Sequence, residues 1–303
     1  MNRVYDYISY RKQSFHQKMN RLLKDKERQL LLLPIIEQLR KEHPGLAARQ
    51  LYLILKPEGI GRDKFEALCF EHGYKLSRKR SFTRTTDSTG VVRFPNLVIG
   101  RELTHINQVW SSDITYYQIS EKCYYLTFII DLYSRRIVGY CASDRLLTEY
   151  TTIPALKMAL RDRRPGRDLI FHSDGGGQYY CKEFLDITTK CKIKNSMCEV
   201  AYENPFAERV NGTIKNQYLK GYAPKNFNQL KAMTTRAVRN YNYVKPHSSL
   251  KKLSPVAFEK LMPAGGSSPL IDDFCNYSNS DQLYQKNHQS LVRSITKKTV
   301  NVF

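Results

Sequence analysis

Three carboxylates in this chain stand where backbone elements could bring them together. Asp113 lies in residues 109–117, VWSSDITYY, an alternating aromatic and β-branched run. Asp174 closes a second apolar run, residues 168–174, DLIFHSD, and is followed by Gly175, Gly176 and Gly177. Glu208 lies in residues 202–219, YENPFAERVNGTIKNQYL, which has helical spacing. An acid on one strand, an acid at the end of another and an acid on a helix can converge on a divalent cation. Magnesium takes such oxygen ligands and keeps several waters. Two ions about 3.5–4 Å apart can stabilise the attacking and leaving oxygens of an in-line displacement at phosphorus. Without cations, three clustered carboxylates would repel one another.

The surroundings of each acid suit that chemistry. Strand alternation puts Asp113 on one face with Ser111 and Thr115, and Ile114 and Tyr116 on the other. The three glycines after Asp174 let backbone approach a phosphate closely, or simply make a tight turn. In the third segment, Phe206, Val210, Ile214 and Tyr218 form an apolar stripe. Glu208, Asn211, Gly212 and Lys215 fall on a different face, which is expected to be exposed. Lys215 and Asn211 are therefore candidate DNA contacts, with Arg209 beside them. Gly212 inside a helix costs about 1 kcal/mol relative to Ala, a cost that close approach of a DNA backbone would explain. A solvated helix face carries the same residue types, so each signal is weak by itself and their combination is stronger.

The elements around the acids form a consistent order. Residues 109–119, 123–131 and 136–141 read as an antiparallel meander. A helix (148–161), a short buried strand (169–172), a helix (180–190), a fifth strand (192–197) and helices over 207–219 and 227–241 follow. The order βββαβαβα predicts an α/β, ribonuclease H-like fold, a mixed five-stranded sheet flanked by helices. Ahead of it, residues 14–41 have helical spacing, with Pro34 expected to start a second helix or kink the first. After Pro44-Gly45, residues 46–55 and 62–72 read as two helices around a turn containing Pro57, Gly59 and Gly61. With the basic residues Lys75, Arg78, Lys79, Arg80 and Arg84 behind them, they suit a helix-turn-helix DNA reader, in which Arg62 and Lys64 are candidate contacts. An ordinary helical hairpin is the plainer reading. The expected domains are a helical DNA-binding region (1–82), a linker (83–104), a catalytic core with a C-terminal helix (105–262) and a polar tail (263–303).

Composition narrows the function classes. The 303 residues carry a formal charge of +21. Residues 1–100 hold 20 Lys and Arg against 10 Asp and Glu, residues 101–200 hold 14 against 12, and residues 201–303 hold 15 against 6. A near-neutral middle between basic flanks suits a polyanion gripped by the flanks. No apolar run is long enough to span a membrane, and Arg3 is not followed by a secretory apolar region. Seven cysteines, an odd number without C-x-x-C spacing, argue against a disulfide framework or a zinc ribbon and favour a reducing compartment. Cys69 and His72 have ligand-like spacing without a second pair, and Cys69 is expected to be a buried thiol.

Residues 107–258 resemble the integrase-type core of DDE transposases, most closely the second-frame protein of a bacterial insertion-sequence family with two overlapping frames. The resemblance rests on NQVWSSDITYY, LTFIIDLYSRRIVGY (126–140), HSDGGGQYY, YENPFAERVNGTIKNQYL and YNYVKPHSSLKKLSPVAF (241–258), in the family's order. It implies that Asp113, Asp174 and Glu208 bind two Mg2+ ions, with Mn2+ as a substitute, and that Lys215 contacts element-end DNA. It also implies cleavage at the ends of an element followed by attack of the freed 3′-hydroxyl on target DNA. The implied partners are terminal inverted repeats, target DNA, further copies of the chain and an upstream-frame helix-turn-helix protein. The implied place is the bacterial cytoplasm, at the nucleoid. Thirty-three residues separate Asp174 from Glu208, two fewer than is usual in the family, which predicts a shorter loop before the helix. Glu203 is the nearest rival acid. The zinc-binding module of retroviral integrases is not apparent. Two other readings stay open: a DNA-binding regulator with an inactive core, and a ribonuclease H-like structure-specific nuclease.

Overall fold

The computed structural model describes residues 11–76, 94–198 and 204–261. These fall into two compact units. One holds residues 11–42 and 47–75, the other 43–46, 76, 94–198 and 204–261. The polar tail, the first half of the expected linker and Glu203 lie outside the described residues. No described helix is long and apolar enough to cross a membrane.

In the first unit, α1 spans Lys12–Glu42 without a break. The expected second helix start at Pro34 is not observed. In a helix of 31 residues, Pro removes one backbone donor and leaves the flanking turns to hold the axis. Helices α2 (Ala48–Leu55) and α3 (Arg62–Glu71) follow. Leu51, Phe65, Leu68 and Cys69 are buried, and the Tyr52 and Phe65 rings lie 5.6 Å apart. The turn between them uses left-handed backbone at Lys56 (φ 45°) and Gly59 (φ 72°), and Gly73 (φ 76°) follows the end of α3. Arg62 pairs with Asp63 and Glu66, and Lys64 with Asp25, all at the surface.

The second unit is built on five strands: β1 (Val109–Ile119), β2 (Lys122–Asp131), β3 (Ile137–Ser143), β4 (Ile170–Ser173) and β5 (Lys194–Met197). Their spatial order is β3-β2-β1-β4-β5. The first three form the antiparallel meander, and β4 and β5 join parallel to β1. The helices are α4 (Thr152–Arg163), α5 (Lys182–Lys190), α6 (Pro205–Thr213), α7 (Phe227–Tyr243) and α8 (Pro255–Lys260). The expected βββαβαβα order is observed.

Alternation along β1 divides the core. Val109 packs with Phe128, Ile130, Val210, Ile214 and Leu230 on the α6/α7 side. Trp110 packs with Ile129, Leu156, Phe171 and Phe184 on the α4/α5 side. Gly139 lets α4 lie directly on β3, since a Cβ there would sit 2.2 Å from the Ala155 carbonyl oxygen. Residues 94–104, expected as linker, lie against the sheet. The Phe94 ring stacks on Tyr180 at 5.7 Å, and the Leu97 amide donates to Ser196 Oγ.

Polar side chains close the end of the β2–β3 hairpin. Asp131, fully buried, accepts from the amides of Asn107, Tyr133 and Ser134. Glu259 of α8 takes two hydrogen bonds from Arg163 and one from Arg136. Asn242 of α7 bonds both the amide and the carbonyl of Ile137, as a neighbouring strand would.

After Thr213, α6 widens into a π-helical stretch, Ile214–Leu219, and continues through Lys220–Tyr222. Residues 43–46 are fitted against this stretch. The Gly45 amide donates to the Gln217 carbonyl at 2.8 Å, and a Cβ on Gly45 would lie 2.4 Å from Gln217 Cα. Likewise a Cβ on Gly221 would meet Pro44 at 2.3 Å.

Candidate active site

The sheet itself brings two acids together. In the parallel pairing of β1 with β4, Ser111 stands opposite His172. Carried two residues onward, that register sets Asp113 opposite Asp174, where β4 ends. Neighbouring strands lie about 4.8 Å apart, and residues in register point to the same face. Both carboxyls are half-buried. Burial raises the Asp113 pKa to about 7, and Asp174 and then Glu208 push it the same way. Burial also raises Asp174, against the Gly176 amide that donates to its Oδ1.

Glu208 lies in the first turn of α6, exposed and within electrostatic reach of Asp113. Among the described residues, no three His, Cys, Asp or Glu side chains close on a single point that could hold a metal. The structure therefore pairs Asp113 with Asp174 and sets Glu208 alongside them.

Lys215 and Asn211 occupy positions that helix spacing alone did not give. Asn211 is buried, whereas the face shared with Glu208 was expected to be exposed. The reason is β1, which covers that part of α6. Asn211 Nδ2 donates to Asp113 Oδ2 at 2.7 Å, while its Oδ1 is buried without a partner. Lys215 Nζ donates to Thr115 Oγ1 at 2.6 Å, on the face of β1 that carries Asp113. Burial lowers the Lys215 pKa, and Asp113 opposes the shift. Arg209 is exposed at the surface of α6. Arg62 and Lys64 belong to the first unit, where both face solvent.

Asn204 was not anticipated. It stands at the start of α6, yet its side chain does not cap the helix. Instead it accepts from Ser111 Oγ and donates to the Ser112 carbonyl, pinning the start of α6 to β1. Asn-Pro is a helix-start signal in sequence, but the strand it reaches is not encoded locally. On the opposite face, Ser112 Oγ bonds both the Phe128 carbonyl and the buried Tyr179 hydroxyl, which fixes β1 from behind.

The glycines after Asp174 also have a definite geometry. None of Gly175, Gly176 and Gly177 adopts left-handed backbone. Gly177 has open space where a Cβ would stand, while Gly176 lies tight against Asp174 Oδ1 at 3.0 Å. A Cβ on Gly175 would meet the Met197 side chain at 2.7 Å, so the open space of this turn is at Gly177.

The donor set suits a hard divalent cation. Two half-buried carboxylates share one face, neither makes an ion pair among the described residues, and Asp113 has the Asn211 amide as a neutral side-chain donor. Oxygen donors without a thiolate or imidazole among them match magnesium or manganese rather than zinc.

Comparisons with known proteins identify the family of the chain. The Integrase core domain matches residues 104–202 and again residues 189–255. The insertion element IS600 31 kDa protein of Shigella sonnei is 36% identical over 219 residues, covering 70% of this chain and 80% of that protein. Transposase InsF for insertion sequence IS3A of Escherichia coli is 32% identical over 156 residues, covering 50% of this chain and 54% of its own length. Among solved structures, the HTLV-2 integrase catalytic core domain in complex with magnesium aligns with 50% of this chain and 96% of its own, at 20% identity and a TM-score of 0.42.

Proposed function

This chain belongs to the insertion-sequence transposases built on an integrase core, and from that membership we propose that Asp113, Asp174 and Glu208 are its metal-binding catalytic triad. The protein is a DDE-type polynucleotidyl transferase of DNA transposition. The observation that carries the triad is the β1–β4 register, which puts Asp113 and Asp174 side by side on the face that α6 covers. Glu208 is the acid of α6 within electrostatic reach of them.

Asp113 and Asp174 would hold divalent ions between adjacent strands, and Glu208 would complete the ligand set from the helix. When bound, Mg2+ supplies charge stabilisation to the attacking and leaving oxygens at phosphorus. Asn211 is a positioning residue: its amide donates to Asp113 Oδ2 and orients the carboxylate. Lys215, held by Thr115, sets a positive charge beside the acids for a DNA phosphate. The open space at Gly177, three residues after Asp174, would give the DNA backbone room to approach. Chemistry on two ends needs both held at once, so several copies of the chain would assemble on DNA. The pair α2 and α3, with Arg62 and Lys64 exposed, suits recognition of element ends. Terminal inverted repeats and an upstream-frame partner remain part of this proposal.

Labelled element ends incubated with target DNA and Mg2+ test the assignment. Asp174→Asn is expected to retain DNA binding and to lose joining by a factor of about a thousand or more. Joining at wild-type rate by that variant would overturn the triad. Metal-dependent cutting of RNA–DNA hybrids without joining would instead favour a nuclease.

A further inference from the structure

A second group of charged side chains lies outside the triad, around the ring of Tyr241. Arg135 follows the end of β2 and stacks over Phe206 of α6, its guanidinium carbon 3.8 Å from the ring centroid. It occupies left-handed backbone, φ 62°, an unfavourable conformation for a residue with a Cβ. Its Nη1 is buried without a hydrogen-bond partner. The His247 ring meets Tyr241 edge to face at 4.7 Å, and His247 Nε2 is likewise buried without a partner. Lys245 is only 8% exposed, lies over the same Tyr241 ring and makes no ion pair among the described residues. Arg209 of α6 is close enough to act on both Arg135 and Tyr241.

The group is short of negative charge. Asp131 is the acid that acts on Arg135, and Asp131 is already committed to three backbone amides and the Arg163 guanidinium. Burial holds Lys245 down to about 8, and burial together with Lys245 and Arg135 holds His247 down to about 3. Neutral His247 can carry its proton on Nε2 and donate it. Buried cations left without a counter-charge destabilise a fold, and an anion arriving from outside would relieve that cost. Two unpartnered buried nitrogens, on Arg135 and His247, meet the donor requirement of a tetrahedral oxyanion.

We propose that Arg135, Lys245 and His247 form a binding pocket for one backbone phosphate of DNA. The pocket adjoins α6 through Phe206 and Arg209, two residues before and one after Glu208. It would therefore grip the strand close to the scissile bond without taking part in the chemistry. This deepens the transposase reading and rests on it for the identity of the polyanion.

The test uses the full chain, a duplex of mixed sequence and EDTA, so that binding is read without chemistry. Fluorescence anisotropy over a KCl series compares wild type with Lys245→Met and His247→Phe. Lys245→Met is expected to weaken binding about tenfold and to reduce the slope of log K against log salt by about 0.9, the signature of one phosphate contact. His247→Phe should weaken binding while leaving that slope unchanged, because the imidazole is neutral. The unfolding midpoint of Lys245→Met should equal or exceed that of wild type, separating lost binding from lost folding. Asp174→Asn serves as the independent arm: it should keep the wild-type slope even if joining is lost, so failure of the pocket and failure of the triad are distinguishable. An unchanged affinity and slope in Lys245→Met overturns the proposal. So does inorganic phosphate stabilising wild type while the variants bind DNA normally, which would assign the pocket to a free anion.

Discussion

Replacing Asp113 by Asn should make the metal-free protein more stable at neutral and alkaline pH. In the folded protein Asp113 titrates near 7, above the ordinary carboxyl value of 3.8, chiefly through burial and then through Asp174. A carboxyl raised in this way favours the folded state at low pH. Its penalty is absent below about pH 4, grows as the pH rises to about 7, and is complete above that. Three pKa units correspond to about 4 kcal/mol. Asp113 is half-buried rather than sealed, so solvent screening lowers the expected loss to about 2–4 kcal/mol. The protein contains one tryptophan, Trp110, fully buried in β1 three positions before Asp113. Its fluorescence in urea titrations at pH 5 and pH 8 reports this unit. In EDTA, wild type should lose stability between the two pH values, while Asp113→Asn should lose much less. Saturating Mg2+ should restore wild type at pH 8 and leave the variant nearly unmoved. An equal pH dependence in both proteins, or an equal Mg2+ effect, would refute the reasoning.

Two further substitutions probe the frame that holds the site. Gly139→Val would force a Cβ into the Ala155 carbonyl, and the Trp110 unfolding transition should report a loss of about 3 kcal/mol or complete failure to fold. Glu259→Gln leaves Arg136 without its carboxylate and Arg163 with only the longer contact to Asp131, and should cost about 3–5 kcal/mol at pH 7. Because the two arginines hold the Glu259 pKa down, against its burial, the wild-type advantage should shrink as the pH falls through the carboxyl range. A variant as stable as wild type at pH 7 would show that the pair contributes no net stability.

Some of this was legible from single residues and some was not. Alternation along 109–119 gives β1 its two faces, and the structure keeps Ser111, Asp113 and Thr115 together on the α6 side. What no local pattern contains is that β4 lies beside β1, because a parallel pairing is made only after a crossover. Asp113 and Asp174 therefore read as two strand positions, and their adjacency came from the sheet. Asn211 reads as solvated by helical phase, yet β1 approaches from that side and buries it. The π-helical stretch left one trace: Phe206, Val210, Ile214 and Tyr218 step by four, longer than the 3.6 of a regular helix. Pro34 shows the opposite case, a strong local breaker overruled by the length of the helix around it. Arg135, Lys245 and His247 look like ordinary surface residues until the fold places them around one ring.

The clip of residues 43–46 on the widened turn of α6 changes where this chain can be cut. By sequence texture the seam between the expected DNA-binding region and the catalytic core lies in residues 83–104. By contacts, four residues from within that expected region, His43, Pro44, Gly45 and Leu46, belong to the catalytic body, and the Gly45 amide occupies the Gln217 carbonyl that lies two residues beyond Lys215. A fragment beginning at residue 94 would leave that carbonyl to solvent and the widened turn without its plug. Exchange of the helical unit between related elements, by evolution or by design, is thus not a clean cut at one linker. In sequence the tetrapeptide that belongs with α6 falls between the two parts of that unit, so a swap must keep it or rebuild it.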